Sequence, residues 1–427
     1  MRRGDLLKGL EDGSLLPRLE PVYGKDAENA AQRLLELMEE YAGTFPCGED
    51  ADTWLFSTPG RTELGGNHTD HQRGHCLAAA VELDTIACAV PNGSNIIRIK
   101  SRHHRMAEVD LNCLALQDAE TGSSPALVRG VAARLAQLGY AAGGFDAYTT
   151  TRVLRGSGLS SSAAFEVMAC TIMNHLFCGG RLSPIQLAQV GQYAENVYYG
   201  KPCGLLDQLS CACGGVIAAG FQDPAQPSVQ QVHVDLAAQG YALCIVDAGA
   251  SHASLIEDYA SIPREMGQVA AHFGKEVLGE VPYEDFQREM SAVRAACGDR
   301  AVLRAIHFYQ DDRRVAQQLE ALEQRDLDAF LRLVRQSGRS SFMYLQNVST
   351  YRDSRVQPMA VLLAQAEELL GDRGACRIHG GGFAGTIQAF VPLDLLEAFT
   401  RRMEALTRTG ACYTLDIRST GSVCLIA

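Results

Sequence analysis

One stretch constrains what this chain can fold into more than any other: Arg155-Gly156-Ser157-Gly158-Leu159-Ser160-Ser161-Ser162-Ala163-Ala164. Ahead of it, Gly144 to Val153 alternates apolar Phe145, Ala147 and Val153 with polar Asp146, Tyr148 and Thr150, as a strand does. Behind it, Ala163 to Phe177 sets Phe165, Met168, Ala169, Ile172, Met173 and Leu176 at helical spacing. A glycine- and serine-rich turn therefore joins a strand to the start of a helix. Its glycines let backbone come close to a ligand, and the first helical turn offers unpaired N–H groups at the positive end of the helix dipole. With three adjacent hydroxyls, this is an anion site suited to a nucleotide triphosphate. A capped helix after a flexible turn is the plainer reading of the same residues. The turn is not a Walker A loop, and no G-x-S-x-G nucleophile elbow occurs.

At 427 residues the chain has room for two or three domains of about 150 residues each. An apolar fraction of 47% against 21% charged is an ordinary soluble balance. The net charge of −12, from 38 basic and 50 acidic side chains, argues against nucleic acid or an anionic membrane as partner. Any anionic substrate needs a local basic pocket. The 14 cysteines include no C-x-x-C pair, and Cys88, Cys170, Cys244 and Cys424 lie in apolar runs. The Met-Arg-Arg-Gly-Asp start, followed by no long apolar run, leads us to expect no signal peptide, and no apolar run is long enough for a membrane span. Free thiols in a reducing cytoplasm are expected, with the protein a monomer.

Along the chain, residues 1–23 read as one or two small helices that dock on the main body, and Ala27 to Tyr41 as an amphipathic helix. Trp54 to Ser57 reads as a strand leading into a glycine-broken polar loop, Thr58 to Gln72. Cys76 to Val90 and Ile96 to Lys100 read as strands joined by a Pro91-Asn92-Gly93 turn. Ser124-Pro125 and Ser183-Pro184 open helices, with Ser124 as cap of the first. Glu195 falls near the end of the second helix, where a carboxylate opposes the dipole. Gly200 to Gln208 is a further polar segment, followed by an apolar run to Ala219, a strand from Tyr241 to Asp247, and mainly helix to about Leu370. His379-Gly380-Gly381-Gly382-Phe383-Ala384-Gly385 precedes a strand to Val391; Tyr413 to Ile417 and Val423 to Ile426 read as a closing hairpin. Helices and strands alternate throughout, which gives an α+β class in two lobes.

The polar clusters supply Arg61, the carboxylates Glu195 and Asp207, the pair His68 and Asp70, and two glycine-rich loops. Phosphoryl transfer uses these types: loop amides for the phosphates, a carboxylate and a hydroxyl for Mg²⁺, a second carboxylate for the attacking hydroxyl, a cation for the charge. One rival is a zinc hydrolase built on His68, His71 and His75 with Asp70. It leaves both glycine loops without a role, and Gly74 is a poor residue for the helix that would bring His71 and His75 together. A non-catalytic nucleotide-binding module is another alternative, and would need neither Asp207 nor Arg61.

Three stretches resemble one family. Pro59 to Asp70 resembles the galactokinase signature, Gly156 to Ala163 the phosphate loop of the GHMP small-molecule kinases, and His379 to Gly385 their third, glycine-rich motif. Glu195 to Gln208 also fits galactokinases, and the order holds over about residues 27–427. The resemblance implies a two-lobed GHMP kinase fold with the active site in the cleft, here divided as a 1–23 extension, a 24–200 ATP-binding domain and a 201–427 C-terminal domain. It implies ATP, Mg²⁺ and phosphorylation of the anomeric hydroxyl of galactose, giving galactose 1-phosphate. By motif position Gly156, Ser157, Gly158, Leu159, Ser160, Ser161 and Ser162 would hold ATP, and Ser162 with Glu195 would hold Mg²⁺. Asp207 would take the hydroxyl's proton, or chiefly orient it because the transition state is loose. Arg61 would lower the pKa of Asp207 and steady the γ-phosphate. Asn67, His68, Asp70, Gly204 and Tyr259 would bind the sugar.

This chain departs from the galactokinase pattern Gly-Arg-x-Asn-x-x-Gly-Glu-His-x-Asp-Tyr. Glu63 stands for the Asn, Asn67 for the Glu expected at the sugar's C6 hydroxyl, and His71 for the Tyr. A neutral Asn67 leaves room for a C6 variant such as galacturonate as substrate, while the acid itself has moved to Glu63.

Overall fold

The computed structural model describes residues 1–154, 158–249, 255–350 and 352–427. An eight-stranded sheet is built from β1 (Trp54–Gly65), β2 (His75–Pro91), β3 (Ile96–Ser101), β4 (Ala107–Asp110), β5 (Phe145–Thr151), β6 (Val216–Gly220) and β7 (Ser228–Val232), closed by β12 below. A four-stranded antiparallel sheet takes β8 (Tyr241–Asp247), β9 (Ala375–His379), β10 (Thr386–Pro392) and β11 (Cys412–Leu415), in the order β11-β8-β10-β9. The last strand, β12 (Val423–Ile426), returns to the first sheet and pairs with β1.

The long apolar alternation of β2 explains its centrality: it pairs with β1, β5 and β6, and its inner residues are fully buried. One face of the large sheet carries α4 (Ser124–Gln137), α5 (Ser161–Phe177), α6 (Pro184–Tyr193) and α7 (Leu206–Cys213), whose apolar stripes meet it in the main core. The other face is covered by α1 (Arg3–Glu11), α2 (Leu16–Tyr23) and α3 (Ala27–Thr44), with Leu6, Leu19, Leu34 and Met38 against Leu55, Ile86 and Leu425. A helical group follows, α8 (Ile256–His272), α9 (Tyr283–Arg288), α10 (Met290–Cys297), α11 (Asp299–Glu323) and α12 (Leu327–Ser340). Finally α13 (Pro358–Leu370) and α14 (Leu396–Leu406) pack on the small sheet. Among the described residues no helix is long and apolar enough to cross a membrane.

Several expectations need correction. The polar segment from Thr58 is strand as far as Gly65, not loop, and is buried along its length. Its polar side chains find distant partners: Thr62 with His379 and Gln388 and Glu63 with Arg377 across the lobes, and Thr58 with Ser422 beside β12. The Pro91-Asn92-Gly93 turn does not make a hairpin, because β5 lies between β2 and β3 and runs parallel to β3. Ser124 is the first helical residue of α4 rather than its cap. The closing hairpin does not form: β11 pairs with β8 and β12 with β1, so the two strands belong to different sheets. For the same reason a lobe boundary at 200/201 does not follow the sheets, since 216–232 and 423–426 complete the first one.

Candidate active site

Arg61 and Asp207 meet in the cleft. Arg61 projects from β1 and Asp207 from the first turn of α7, where the N-terminal dipole favours a carboxylate. Nε and Nη2 of Arg61 donate to Asp207 Oδ1 at 2.8 and 2.6 Å, and Nη1 donates to the carbonyl of Gly158. The hydroxyl of Ser160 donates to Asp207 Oδ2. Burial alone would raise the Asp207 carboxyl, but the Arg61 charge and the Ser160 hydrogen bond outweigh it and hold the group below the usual carboxylate range. Its side chain nonetheless keeps 37% exposure, toward the cleft.

Of the expected ATP-binding residues, Gly156 and Ser157 lie outside the described residues. Leu159 is fully buried, its carbonyl accepting from the Arg61 N–H at 3.0 Å. Ser160 precedes α5 in a left-handed conformation, and its hydroxyl does not cap the helix. The first amides of α5 are thus left without a side-chain cap. Ser161 and Ser162 line a cavity of about 560 Å³ together with Glu166, Glu195, Lys201 and Thr151.

Glu195 sits in a π-helical turn, Ala194–Tyr199, that continues α6. Its Oε1 accepts from Lys201 Nζ at 2.9 Å and its Oε2 from Gln208 Nε2 at 2.9 Å. The same Gln208 nitrogen reaches Glu166 Oε2 at 3.0 Å, while Glu166 Oε1 is buried with no partner. Burial first, and the nearby Glu195 charge second, push Glu166 up to about 8. Two carboxylates and a hydroxyl in one cavity wall, with one oxygen orphaned, form an oxygen donor set of the kind a hard divalent cation takes. Gln208 follows Asp207 directly, so the cavity and the Arg61–Asp207 pair are joined through one dipeptide.

Of the residues expected to bind the sugar, Asn67, His68 and Tyr259 meet the loop between β9 and β10, while Asp70 lies against Gly204. His68 Nε2–H donates to the Gly381 carbonyl at 3.0 Å, which leaves Nδ1 as an acceptor. Burial, and then His71, lower His68 to about 4, so its ring is neutral near pH 7. Asp70 Oδ2 lies against Gly204, where a Cβ would stand only 2.1 Å from it, so a side chain there would displace the Asp70 carboxylate. Tyr259 donates to the Gly382 carbonyl at 2.5 Å and stacks edge-on against Phe383. Gly382 combines φ of +84° with a virtual Cβ 2.2 Å from the Asn347 carbonyl, which excludes any side chain.

Asn67 is 1% exposed and its carboxamide is fully used. Nδ2 donates to Glu63 Oε1 at 3.0 Å and to the Gly380 carbonyl at 2.8 Å; Oδ1 accepts from Asn347 at 2.8 Å and from Ser341 at 3.4 Å. Among the described residues no three His, Cys, Asp or Glu side chains converge as metal ligands. His75 instead pairs with Asp312 at 2.9 Å, so the zinc alternative has no support. Gln208 closes the motif that starts at Glu195, but Glu166 and Arg377 belong to no motif. Each is a polar residue inside an apolar helix or strand, and that isolation was the available signal.

The uncapped start of α5 lies directly beside the Arg61–Asp207 pair, and the fold that holds them is that of the GHMP class of small-molecule kinases. The profile of the GHMP kinases N terminal domain matches residues 126–215. That of the galactokinase galactose-binding signature matches residues 39–91. The galactokinase of Streptomyces coelicolor is 31% identical over 380 residues, which span 88% of this chain and 93% of that one. The chain belongs to the galactokinase family, and as a sugar kinase it uses ATP. Its fold is similar to that of Lactococcus lactis galactokinase complexed with galactose, with a TM-score of 0.78 at 23% identity over 92% of this chain and 99% of that one. It is also similar to L. major mevalonate kinase in complex with R-mevalonate, with a TM-score of 0.59 at 14% identity over 87% and 98% of the two chains.

Proposed function

We infer that this enzyme transfers the γ-phosphoryl group of ATP to the anomeric hydroxyl of galactose, giving galactose 1-phosphate. The observation that carries the inference is the Arg61–Asp207–Ser160 cluster, one residue from the carboxylate-lined cavity on one side and beside the His68–Asp70–Gly204 group on the other. The start of α5, with Gly158 and Leu159 ahead of it, cradles the phosphates through backbone N–H groups. Ser162 and Glu195 would hold Mg²⁺, with Glu166 beside them, and the ion would supply positive charge to offset that of the phosphates. Asp207 receives and orients the C1 hydroxyl through the oxygen now bonded to Ser160, and takes its proton as transfer proceeds. Arg61 fixes Asp207 and carries positive charge toward the phosphoryl group. Asp70 and the free Nδ1 of His68 accept from ring hydroxyls, and Tyr259 walls the pocket.

The protein acts as a cytoplasmic monomer on this reading, a setting that fits its fourteen free cysteines. The test is a coupled ADP-release assay across galactose, galacturonate, N-acetylgalactosamine, arabinose and glucose. Galactose is expected to give the highest kcat/KM. Asp207→Asn is expected to lower kcat on the order of 10³-fold with nucleotide binding retained. A galacturonate rate above that for galactose refutes the substrate, and an active Asp207→Asn enzyme refutes the site.

A further inference from the structure

Phosphoryl transfer makes no use of a cavity of about 310 Å³ walled by α11 and the start of α13, which shares no lining residue with the cavity of Ser162 and Glu195. Arg304 of α11 lines it and is 1% exposed. Its Nε donates to the Leu345 carbonyl at 3.2 Å, and its Nη1 to Ser261 Oγ and Glu265 Oε2 at 2.9 Å each. Nη2 has no protein acceptor and is not among the sealed polar atoms, so it meets the cavity that Arg304 lines. Glu265 is already shared, since it accepts from Nε and Nη2 of Arg300 as well. Asp258, the acid in the cavity wall, is taken by Arg352 at 3.1 Å and Thr350 at 3.3 Å. Among the described residues, these pairs set three guanidinium groups against two carboxylates. One positive charge is left over at a wall where Arg304 is buried, and buried charges are ordinarily paired. Burial lowers Arg304 to about 10, with Glu265 opposing and the Arg300 charge adding to the effect, so the group stays charged at pH 7.

A second set of donors enters from the rim. Gln357, the residue before α13, lines the cavity, and its amide donates to the Ser354 carbonyl at 2.8 Å. No side chain caps α13, and Pro358 opens it, so its first N–H groups and the positive end of its dipole remain for a ligand. The inner wall belongs to the sugar side. Phe383 lines the cavity in a left-handed conformation, φ +57°, with its ring edge-on to Tyr259. Gln346, also left-handed, and Val348 flank Asn347, which donates to Asn67 Oδ1 and to the Gly381 carbonyl. Two bulky residues in that backbone region are strained. The strain sits on the far side of the loop that Asn67, His68 and Tyr259 meet.

We propose that this cavity is an effector site for a small phosphomonoester, whose phosphate is held between Arg304 Nη2 and the uncapped start of α13. A guanidinium with a helix start is a pairing that receives phosphate. The hydroxyls of Ser349 and Ser354 line the same space and serve the rest of such a molecule. A ligand seated there packs on Phe383 and Gln346 and steadies the loop from behind, so galactose meets a wall already ordered. Binding at the site is independent of the galactose-kinase reading; its effect on the sugar rests on that reading.

The experiment is titration calorimetry of the full chain with glucose 6-phosphate, inorganic phosphate and acetate at fixed ionic strength, the cleft being filled with Mg²⁺ and a non-hydrolysable ATP analogue. Glucose 6-phosphate is expected to bind with a Kd below about 1 mM, inorganic phosphate more weakly, and acetate not measurably. Arg304→Met, which removes the anchoring charge, and Gln357→Asp, which caps α13 and sets acid against the anion, are each expected to weaken binding at least tenfold. Gln357→Asp should keep the wild-type thermal midpoint, and it decides alone should Arg304→Met fail to fold. In the wild type, glucose 6-phosphate is expected to lower the galactose KM about fivefold with kcat unchanged, and in Gln357→Asp to leave it as it was. No binding of either phosphate, equal binding of acetate, or undiminished binding by folded Gln357→Asp overturns the site. A galactose KM that rises or stays constant in the wild type overturns the effector role. Absence of any galactose turnover would instead strike the underlying function and leave the calorimetry to judge the site.

Discussion

Asp207 has both oxygens occupied, Oδ1 by Arg61 and Oδ2 by Ser160. Since Arg61 and Ser160 together overcome the effect of burial, the group is ionised throughout the neutral range. An acidic limb of kcat/KM due to Asp207 is therefore expected only below the ordinary aspartate value of about 4. Ser160→Ala removes one of the two lowering contacts and should shift that limb upward in pH, with a loss of several-fold in kcat, as read from a pH–rate profile. A limb that does not move would show that Ser160 leaves the acid before the sugar arrives. At this scale the sequence was informative wherever a residue belonged to a quoted motif, as Arg61, His68, Asp70 and Asp207 do. It was silent where a partner comes from far along the chain: Arg377 lies 314 residues from Glu63. Nothing local could distinguish Asn67 reaching outward from Asn67 turned into Asn347 and Ser341.

The elements show why some segments misled. Gly, Pro and charged residues between Thr58 and Gly65 resemble a loop, yet the second lobe supplies hydrogen bonds that let them run as a buried strand. Hydrophobic pattern and turn chemistry specify local elements well, so α3, α5, β5 and β10 stand close to where their periodicity puts them. Pairing partners are not local, and so the expected closing hairpin became two strands of two sheets. The turn that presents Glu195 depends on a similar long-range fit. It packs on α4 at Gly130, where a Cβ would sit 2.8 Å from both Cα and Cβ of Ala194. Gly130→Val is expected to lower stability by about 1–3 kcal/mol through overpacking. It should also raise the Mg²⁺ concentration needed for half-maximal rate while the galactose KM stays within about twofold. Calorimetry and a Mg²⁺ titration check the two halves separately.

Across the whole molecule, Asp84 is the point where distant parts of the chain converge. It is fully buried and accepts from Arg33 at 2.7 Å, Ser57 at 2.6 Å, Tyr23 at 2.8 Å and Arg418 at 3.5 Å. These come from α3, β1, the end of α2 and the segment before β12. Burial raises the Asp84 carboxyl, but Arg33 and Arg418 more than offset it and keep it below the ordinary range. A depressed value stabilises the fold above the unfolded value of about 4, and that contribution fades as pH falls through the native one. Asp84→Ala, which leaves the buried Arg418 and the half-buried Arg33 without their shared carboxylate, is expected to cost about 3–5 kcal/mol at pH 7. The gap between wild type and Asp84→Asn in urea unfolding should narrow steadily toward pH 2. The return of β12 to the outer edge of β1, with Leu55 opposite Ile426, also governs how the protein comes into being. While the ribosome is still at work, the first residues of β1, Leu55 to Ser57, present a bare outer edge, and keep it until residues 423–426 have emerged. Nascent chains are thus open to strand addition by one another along Leu55 to Ser57 until β12 arrives.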